Sequence, residues 1–346
     1  MTTQMSLASS QRVTLRFRDG VEQVLSVAAG QTILEAAIAQ QAPLLWQCRS
    51  GTCTTCHAHL RTGQAAMRAG QASVLLRHEA EAGERLLCLT EAQSECHFDL
   101  AYDSQAGHQA TQQARVFVDA VEHIAPDAVR LKLELAAGEW LDFLPGQFVQ
   151  LAVPGTGEQR RYSIASTPAQ LPRIELLIRL LPQGAMSAYL RERAAADDVI
   201  LITGPYGAFF LRERVRAPHI FIAGGTGLAP LLSMIDTLRA QPGRRSPLLL
   251  SFGCADKSVL FYREELALRQ HWMPQLDLRV SIDQGVSDAD LRIGNPVSAI
   301  SAADTQDPAT VAYLCGPPSL IQAGHQHLMA LGVAAQNIYA EQFVAS

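Results

Sequence analysis

Nine consecutive residues, Cys48-Arg49-Ser50-Gly51-Thr52-Cys53-Thr54-Thr55-Cys56, present three thiols, and a fourth, Cys88, follows after 31 intervening residues. A loop with this C-x4-C-x2-C spacing has to wrap closely around something, and the chain on either side has to hold it there. Gly51 and its small neighbours Ser50, Thr52 and Thr54 allow the wrap and let backbone N–H groups point at the sulfurs. Thiolates are soft, anionic ligands, so four of them indicate a metal centre. An iron-sulfur cluster held by Cys48, Cys53, Cys56 and Cys88 fits the spacing. A zinc site competes, although zinc usually shows two C-x-x-C pairs and only Cys53 and Cys56 are so spaced. A thioredoxin-like Cys53/Cys56 pair leaves the third cysteine and the missing βαβ unit unexplained.

Seven cysteines are an odd number, three of them crowded into one loop, which fits metal ligation in a reducing compartment better than a disulfide framework. Cys96 and Cys254 read as free thiols, and His57 and His59 as ordinary loop or strand residues. At 346 residues the chain exceeds one ordinary core and suggests two or three domains of roughly 100 to 150 residues, with three expected. Hydrophobic residues at 48% and charged ones at 18% describe a soluble globular protein. The net charge of -5, with no basic block, argues against nucleic acid as a partner. Residues 1–11 have no positive residue followed by an apolar core and do not read as a signal peptide, so a cytoplasmic protein is expected. The uncharged run 217–235 has the length of a membrane span, but Gly224, Gly225, Gly227 and Pro230 interrupt it, and no membrane association is expected.

In the first segment, residues 11–103, Val13, Leu15 and Phe17 alternate with polar residues, Asp19-Gly20 turns the chain, and Val21 to Val27 continues as a second strand. Thr32 and Glu35 stand in capping-box relation ahead of a helix whose apolar face is Ile33, Leu34, Ala37 and Ile38. Two strands, a helix and a cysteine loop resemble the β-grasp, plant-type [2Fe-2S] ferredoxins, with Thr54 where a glycine often sits. Ser104 to Gln113 is small, polar and aperiodic, and reads as a linker.

The second segment, residues 112–213, shows short β-type runs (116–121, 129–135, 148–153) separated by turn signals, as in an antiparallel barrel. It contains Arg160-Arg161-Tyr162-Ser163, and further on Gly184-Ala185-Met186-Ser187 before a helix from Ala188. An arginine beside a tyrosine on a barrel is often only a surface pair, but an arginine and a helix N-terminus together can share a pyrophosphate. The third segment, residues 214–346, runs strand, Gly224-Gly225-Thr226-Gly227-Leu228-Ala229-Pro230, helix, which is the geometry for a phosphate at a helix N-terminus. As a G-x-G-x-x-G fingerprint it fails at Pro230, and a purely structural glycine turn stays open. A later strand ends in Cys315-Gly316-Pro317-Pro318, at the carboxyl edge where open α/β sheets bind ligands.

The R-x-Y-S, GGTGxAP and CGPP motifs, in this order after the cysteine loop, resemble the ferredoxin-NADP reductase superfamily, and the whole chain is similar to the reductase components of benzoate, toluate or anthranilate dioxygenases. The resemblance implies a multidomain α+β and α/β protein: a β-grasp [2Fe-2S] ferredoxin, an antiparallel β-barrel FAD domain and a Rossmann-like NAD domain. It implies that Arg160 holds the FAD pyrophosphate, with Gly184, Met186 and Ser187 as the second phosphate edge, that Tyr162 packs on the isoalloxazine and that Ser163 lies near its N5. Gly224, Gly225, Thr226, Gly227 and Pro230 then bind the nucleotide with Cys315, Gly316 and Pro317, while Glu341 orients Ser163 and Cys315, and Phe343 shields the ring. Asp256 meets a ribose hydroxyl and favours NADH over NADPH, against the nearby Lys257 and Arg263. The implied activity is NADH-dependent electron transfer through FAD and the [2Fe-2S] cluster to a terminal oxygenase. Two alternatives share these residues: the reductase of a diiron monooxygenase of phenol or methane type, and a flavin reductase with a zinc-binding interaction module.

Overall fold

The computed structural model describes residues 10–343 other than 47–48, 52–54, 72, 74, 76, 109, 213–216, 242, 244–245 and 286–290. The chain forms two compact units, one running to Ala110 and taking in Tyr206–Ala208, the other running from Thr111.

In the first unit, β1 (Ser10–Arg16) and β2 (Glu22–Ala28) form the expected hairpin, followed by α1 (Ile33–Ala39), β3 (His57–Thr62), β4 (Ala65–Met67), α2 (Arg77–Glu81), β5 (Glu84–Leu86), β6 (Thr90–Ala92) and β7 (Cys96–Asp99). The main sheet has the order β2-β1-β7-β3-β5, with β1 and β7 parallel, and β4 pairs with β6 apart from it. The capping box is formed: Glu35 N–H donates to Thr32 Oγ1 at 3.2 Å and Thr32 N–H to Glu35 Oε2 at 2.8 Å. Ile33, Leu34, Ala36 and Ala37 are buried, so the helix packs on the sheet through the face its periodicity marks. The 104–113 stretch departs from a plain linker. Residues 104–108 form a 3-10 turn, Ser104 donates from N–H and Oγ to Asp19 at 3.0 and 2.7 Å, and a strand begins at Gln112. Hydrogen bonds to a distant carboxylate, Asp19, help order it without any apolar pattern.

The second unit opens with β8 (Gln112–Ala125), β9 (Ala128–Leu135), β10 (Phe148–Ala152), β11 (Gln159–Ser163), β12 (Arg173–Arg179), α3 (Ala185–Glu192) and β13 (Val199–Tyr206). The strand order is β11-β10-β13-β8-β9-β12, and an Ile164–Leu176 bridge joins the two ends into a barrel. The α3 helix starts three residues before the expected Ala188. Next come β14 (His219–Gly224), α4 (Leu228–Ala240), β15 (Leu248–Cys254), α5 (Arg263–Trp272), β16 (Leu276–Ile282), β17 (Leu291–Ile293), β18 (Val311–Gly316), α6 (Pro318–Ala330) and β19 (Ile338–Gln342). They form a parallel sheet of order β17-β16-β15-β14-β18-β19. Its central strands β14, β15 and β18 are buried nearly throughout, as a parallel sheet covered on both faces requires. The order reverses between β14 and β18, so their carboxyl ends open a crevice. The 217–235 run is divided between β14 and α4, and among the described residues no helix is long and apolar enough to cross a membrane. Barrel residues Ala128, Ala165, Leu177 and Phe209 join the apolar core of this sheet, so barrel and sheet pack as one body.

Candidate active site and metal centre

Of the four thiols, Cys48 and Cys53 lie outside the described residues. Cys56 and Cys88 are buried, and the Cys88 N–H points at Cys56 Sγ at 3.4 Å. That contact is of the kind that stabilises a thiolate ligand. Gly51, with φ of +77°, makes the bend for which a glycine is needed. Among the described residues no three His, Cys, Asp or Glu side chains gather as a metal site, since half of the thiol set is outside them. Two buried sulfurs with an N–H aimed at one of them fit an iron-sulfur cluster. The histidines following Cys56 are less ordinary than the sequence suggests. His57 Nε2 and His59 Nδ1 both meet Glu84, at 3.0 and 2.9 Å. Burial opposes the charge on His57, yet pairing with Glu84 prevails and raises its pKa.

In the second unit, β11 presents Arg160 and Tyr162 on one face and Ser163 on the other, as a strand requires. Arg160 pairs with its exposed neighbour Glu158, and Tyr162 packs partly against the barrel core. Burial raises the Tyr162 phenol, which stays neutral. At the α3 N-terminus, Met186 is 1% exposed and the Ser187 hydroxyl accepts the Leu181 N–H at 2.9 Å. Their side chains therefore face inward, which leaves the backbone N–H groups of the first helical turn as the edge suited to an anion.

The third element of the site assembles across a long sequence gap. Ser163 Oγ donates to Glu341 Oε2 at 3.2 Å, and Glu341 stands in register with Cys315 across β18 and β19. Glu341 is 7% exposed and Cys315 is fully buried. Burial pushes the Glu341 carboxyl up to about 8, partly offset by the Ser163 hydrogen bond. Burial first, and the Glu341 charge second, hold the Cys315 thiol far above its ordinary value. The trio at neutral pH is a hydroxyl, a predominantly protonated carboxyl and a thiol. Phe343 N–H donates to Gly316 O at 2.8 Å, which brings its partly exposed ring to the end of β18.

On the other side of the crevice, a Cβ on Gly227 would strike the Cys315 carbonyl, so only glycine lets α4 approach β18. A Cβ on Gly224 would strike Leu320 and Pro317, whereas Gly225, at φ of +54°, faces open space. This is a closely packed turn with one open edge, which suits a phosphate. Thr226 lies between, half-buried. Pro230 occupies the first turn of α4, where a missing N–H costs nothing. Asp256, two residues past β15, caps the 257–259 turn by accepting from Ser258 N–H at 2.7 Å. The Ser258 hydroxyl, which also donates to it, and then the Ser258 N–H hold its carboxyl below the usual range. The chain therefore brings Ser163, Cys315, Gly316 and Glu341 together, with Gly227 against Cys315. Arg130 and Tyr262, which join the barrel to the segment after β15, carry no motif that would single them out.

Three family models match the chain: 2Fe-2S iron-sulfur cluster binding domain over residues 17–93, oxidoreductase FAD-binding domain over 115–211 and oxidoreductase NAD-binding domain over 221–326. The toluate 1,2-dioxygenase electron transfer component of Pseudomonas putida is 32% identical over 344 residues, covering 97% of this chain and 99% of that protein. Methane monooxygenase component C of Methylosinus trichosporium is 36% identical over 247 residues, covering 69% of this chain and 71% of the relative. Among solved structures, the Amycolatopsis cytochrome P450 reductase superposes with a TM-score of 0.70 at 28% identity, covering 96% of this chain and 99% of that one.

Proposed function

This chain belongs to the electron transfer components of oxygenases, the family of the toluate 1,2-dioxygenase component, and from that premise we propose how its residues divide the work and which oxygenase it serves. It is an NADH oxidoreductase with FAD, NAD and [2Fe-2S] domains that delivers electrons to a terminal oxygenase. When bound, the cofactors supply hydride acceptance from NADH and single-electron release toward that oxygenase. We assign residues 11–103, 112–213 and 214–346 to the three domains in that order: ferredoxin, flavin and nucleotide.

The observation that carries the reading is the buried Ser163–Glu341 hydrogen bond beside Cys315. It supports a site in which Ser163 holds the flavin N5 edge, Glu341 fixes the serine rotamer, and Cys315 and Thr226 flank the nicotinamide. All of them are uncharged, or can be so, in a region that has to exclude water. Arg160 exchanges Glu158 for the pyrophosphate, which the backbone at Gly184, Met186 and Ser187 also meets. Tyr162 packs on the ring and Phe343 covers it. Gly224, Gly225 and Gly227 bring the nucleotide phosphate to α4, with Pro230, Gly316 and Pro317 shaping the turn. Asp256 favours NADH, since a 2'-phosphate would meet its charge. Comparing kcat/KM for NADH and NADPH checks this, and equal values would remove Asp256 from the assignment. Cys48, Cys53, Cys56 and Cys88 hold the cluster. The buried cysteines, none of them in a disulfide among the described residues, suit a reducing compartment, which supports a cytoplasmic protein.

For the partner, the near full-length likeness to the toluate component supports an aromatic-ring dioxygenase of benzoate or anthranilate type. A second reading, a monooxygenase of methane type, is favoured by the 36% identity to methane monooxygenase component C. Reconstitution with each oxygenase, measured as NADH-dependent product, separates them. Turnover with the dioxygenase is expected, and turnover with the monooxygenase alone would overturn the first reading.

A further inference from the structure

The segment after β15 carries Asp256 near its start and Tyr262 at its end, and its two ends are held by different parts of the fold. At the start, the sheet fixes Cys254, and Asp256 caps the turn that follows. Near the end, Phe261 is buried with its ring edge-on to Phe252 of β15 at 5.4 Å. Tyr262 itself is 5% exposed and has φ of +63°. An aromatic residue keeps that left-handed conformation only where its surroundings fix it.

Tyr262 O accepts the Leu266 N–H at 2.9 Å and its ring meets Phe261, and a further fixing group comes from the barrel. Arg130 on β9 lays its guanidinium over the Tyr262 ring, 5.5 Å from the centroid, and its Nη1 donates to the Tyr262 hydroxyl at 3.2 Å. Arg130 is anchored in turn by Glu122, its cross-strand partner on β8, at 2.6 Å, and Glu122 also holds Lys132. A guanidinium has donors enough to reach both the Tyr262 hydroxyl and Glu122 while its cation lies over the ring, a spread that a lysine ammonium cannot match.

We propose that Arg130 and Tyr262 form a latch through which the flavin barrel sets the 255–261 segment, and with it Asp256, where it meets the ribose of a nicotinamide dinucleotide. Both are positioning residues, and the inference rests on the functional reading given above. With the latch intact, the segment is pinned at β15 and at Tyr262 and its conformations are few. With the latch broken, Tyr262 is released from its left-handed conformation and the segment has to be ordered when the nucleotide binds, so affinity falls. Hydride geometry depends on Ser163, Thr226 and Cys315, which the latch does not touch, so turnover at saturation is retained.

The test is steady-state NADH oxidation with ferricyanide as acceptor, on full-length holoprotein, for wild type, Arg130→Gln, Tyr262→Phe and the double variant, with bound FAD quantified in each. The KM for NADH is expected to rise about three- to tenfold in each single variant with kcat within about twofold, and no further in the double variant, because the two residues act as one unit. Arg130→Lys, which keeps the pair with Glu122 and a cation near the ring but loses the guanidinium hydrogen bond to the Tyr262 hydroxyl, gives an intermediate KM and serves if the larger change prevents folding. An unchanged KM in the single variants, effects that multiply in the double variant, or loss of FAD together with kcat would each overturn the latch. Wild-type protein that oxidises no NADH would instead overturn the functional reading, so the two failures are distinct.

Discussion

At the scale of single residues, the most informative group is Glu341, because its burial makes a measurable demand. Its carboxyl titrates near 8 in the folded chain, above the ordinary value of 4.5. The folded protein therefore keeps a proton that the unfolded chain releases, so this contribution to stability is fully present below pH 4.5 and is lost as pH rises through about 8. Thermal unfolding of cofactor-free protein between pH 5 and 9 is expected to show a fall that Glu341→Gln flattens, a difference on the order of a few kcal/mol. Parallel pH profiles would contradict it. Cys315→Ala is expected to slow single-turnover flavin reduction by NADH by about tenfold or more while FAD stays bound. An unchanged rate would remove Cys315 from the hydride site. Ser163, Cys315 and Glu341 were legible only through their motifs, since 178 residues separate Ser163 from Glu341 and no periodicity spans such a distance. Met186 was legible as a position but not as a contact: its side chain enters the barrel core, and backbone geometry is not written in side-chain type. Arg130 and Tyr262 were missed because a lone arginine on one strand and a tyrosine before a helix carry no spacing signal.

At the scale of elements, the glycine turn before α4 separates two uses of the same residue. Gly227 is glycine for lack of space, because a methyl group there would collide with the Cys315 carbonyl, whereas Gly225 has open space and only its φ of +54° to protect. Gly227→Ala is therefore expected to cost about 2 to 4 kcal/mol and to abolish NADH binding, because backbone has to move. Gly225→Ala is expected to cost about 1 to 2 kcal/mol. Denaturant unfolding with NADH titration checks both, and equal costs would contradict the packing argument. Elements of strong local chemistry were plain in the sequence: the Thr32–Glu35 capping box, the β1–β2 hairpin and the apolar β14. The 104–108 turn was not, because its order comes from Asp19, 85 positions away. The ends of β8 likewise extend past the apolar run through polar residues that pair with β9 and β13.

At the scale of the whole molecule, the central claim is a division of labour: flavin reduction resides in the barrel and nucleotide sheet, and the cysteine loop is the outlet. The order of motifs made this division legible, although two of the four proposed ligands, Cys48 and Cys53, lie outside the described residues. The division is tested most directly by anaerobic NADH titration of the visible spectrum of wild type and Cys53→Ser, with electron delivery to the terminal oxygenase measured alongside. Wild type is expected to show red-brown iron-sulfur absorbance, to bleach with NADH and to reduce the oxygenase. Cys53→Ser is expected to lose that absorbance and the delivery while its flavin still bleaches with NADH. Loss of flavin reduction together with delivery, or a wild-type protein without iron-sulfur absorbance after reconstitution, would contradict the account.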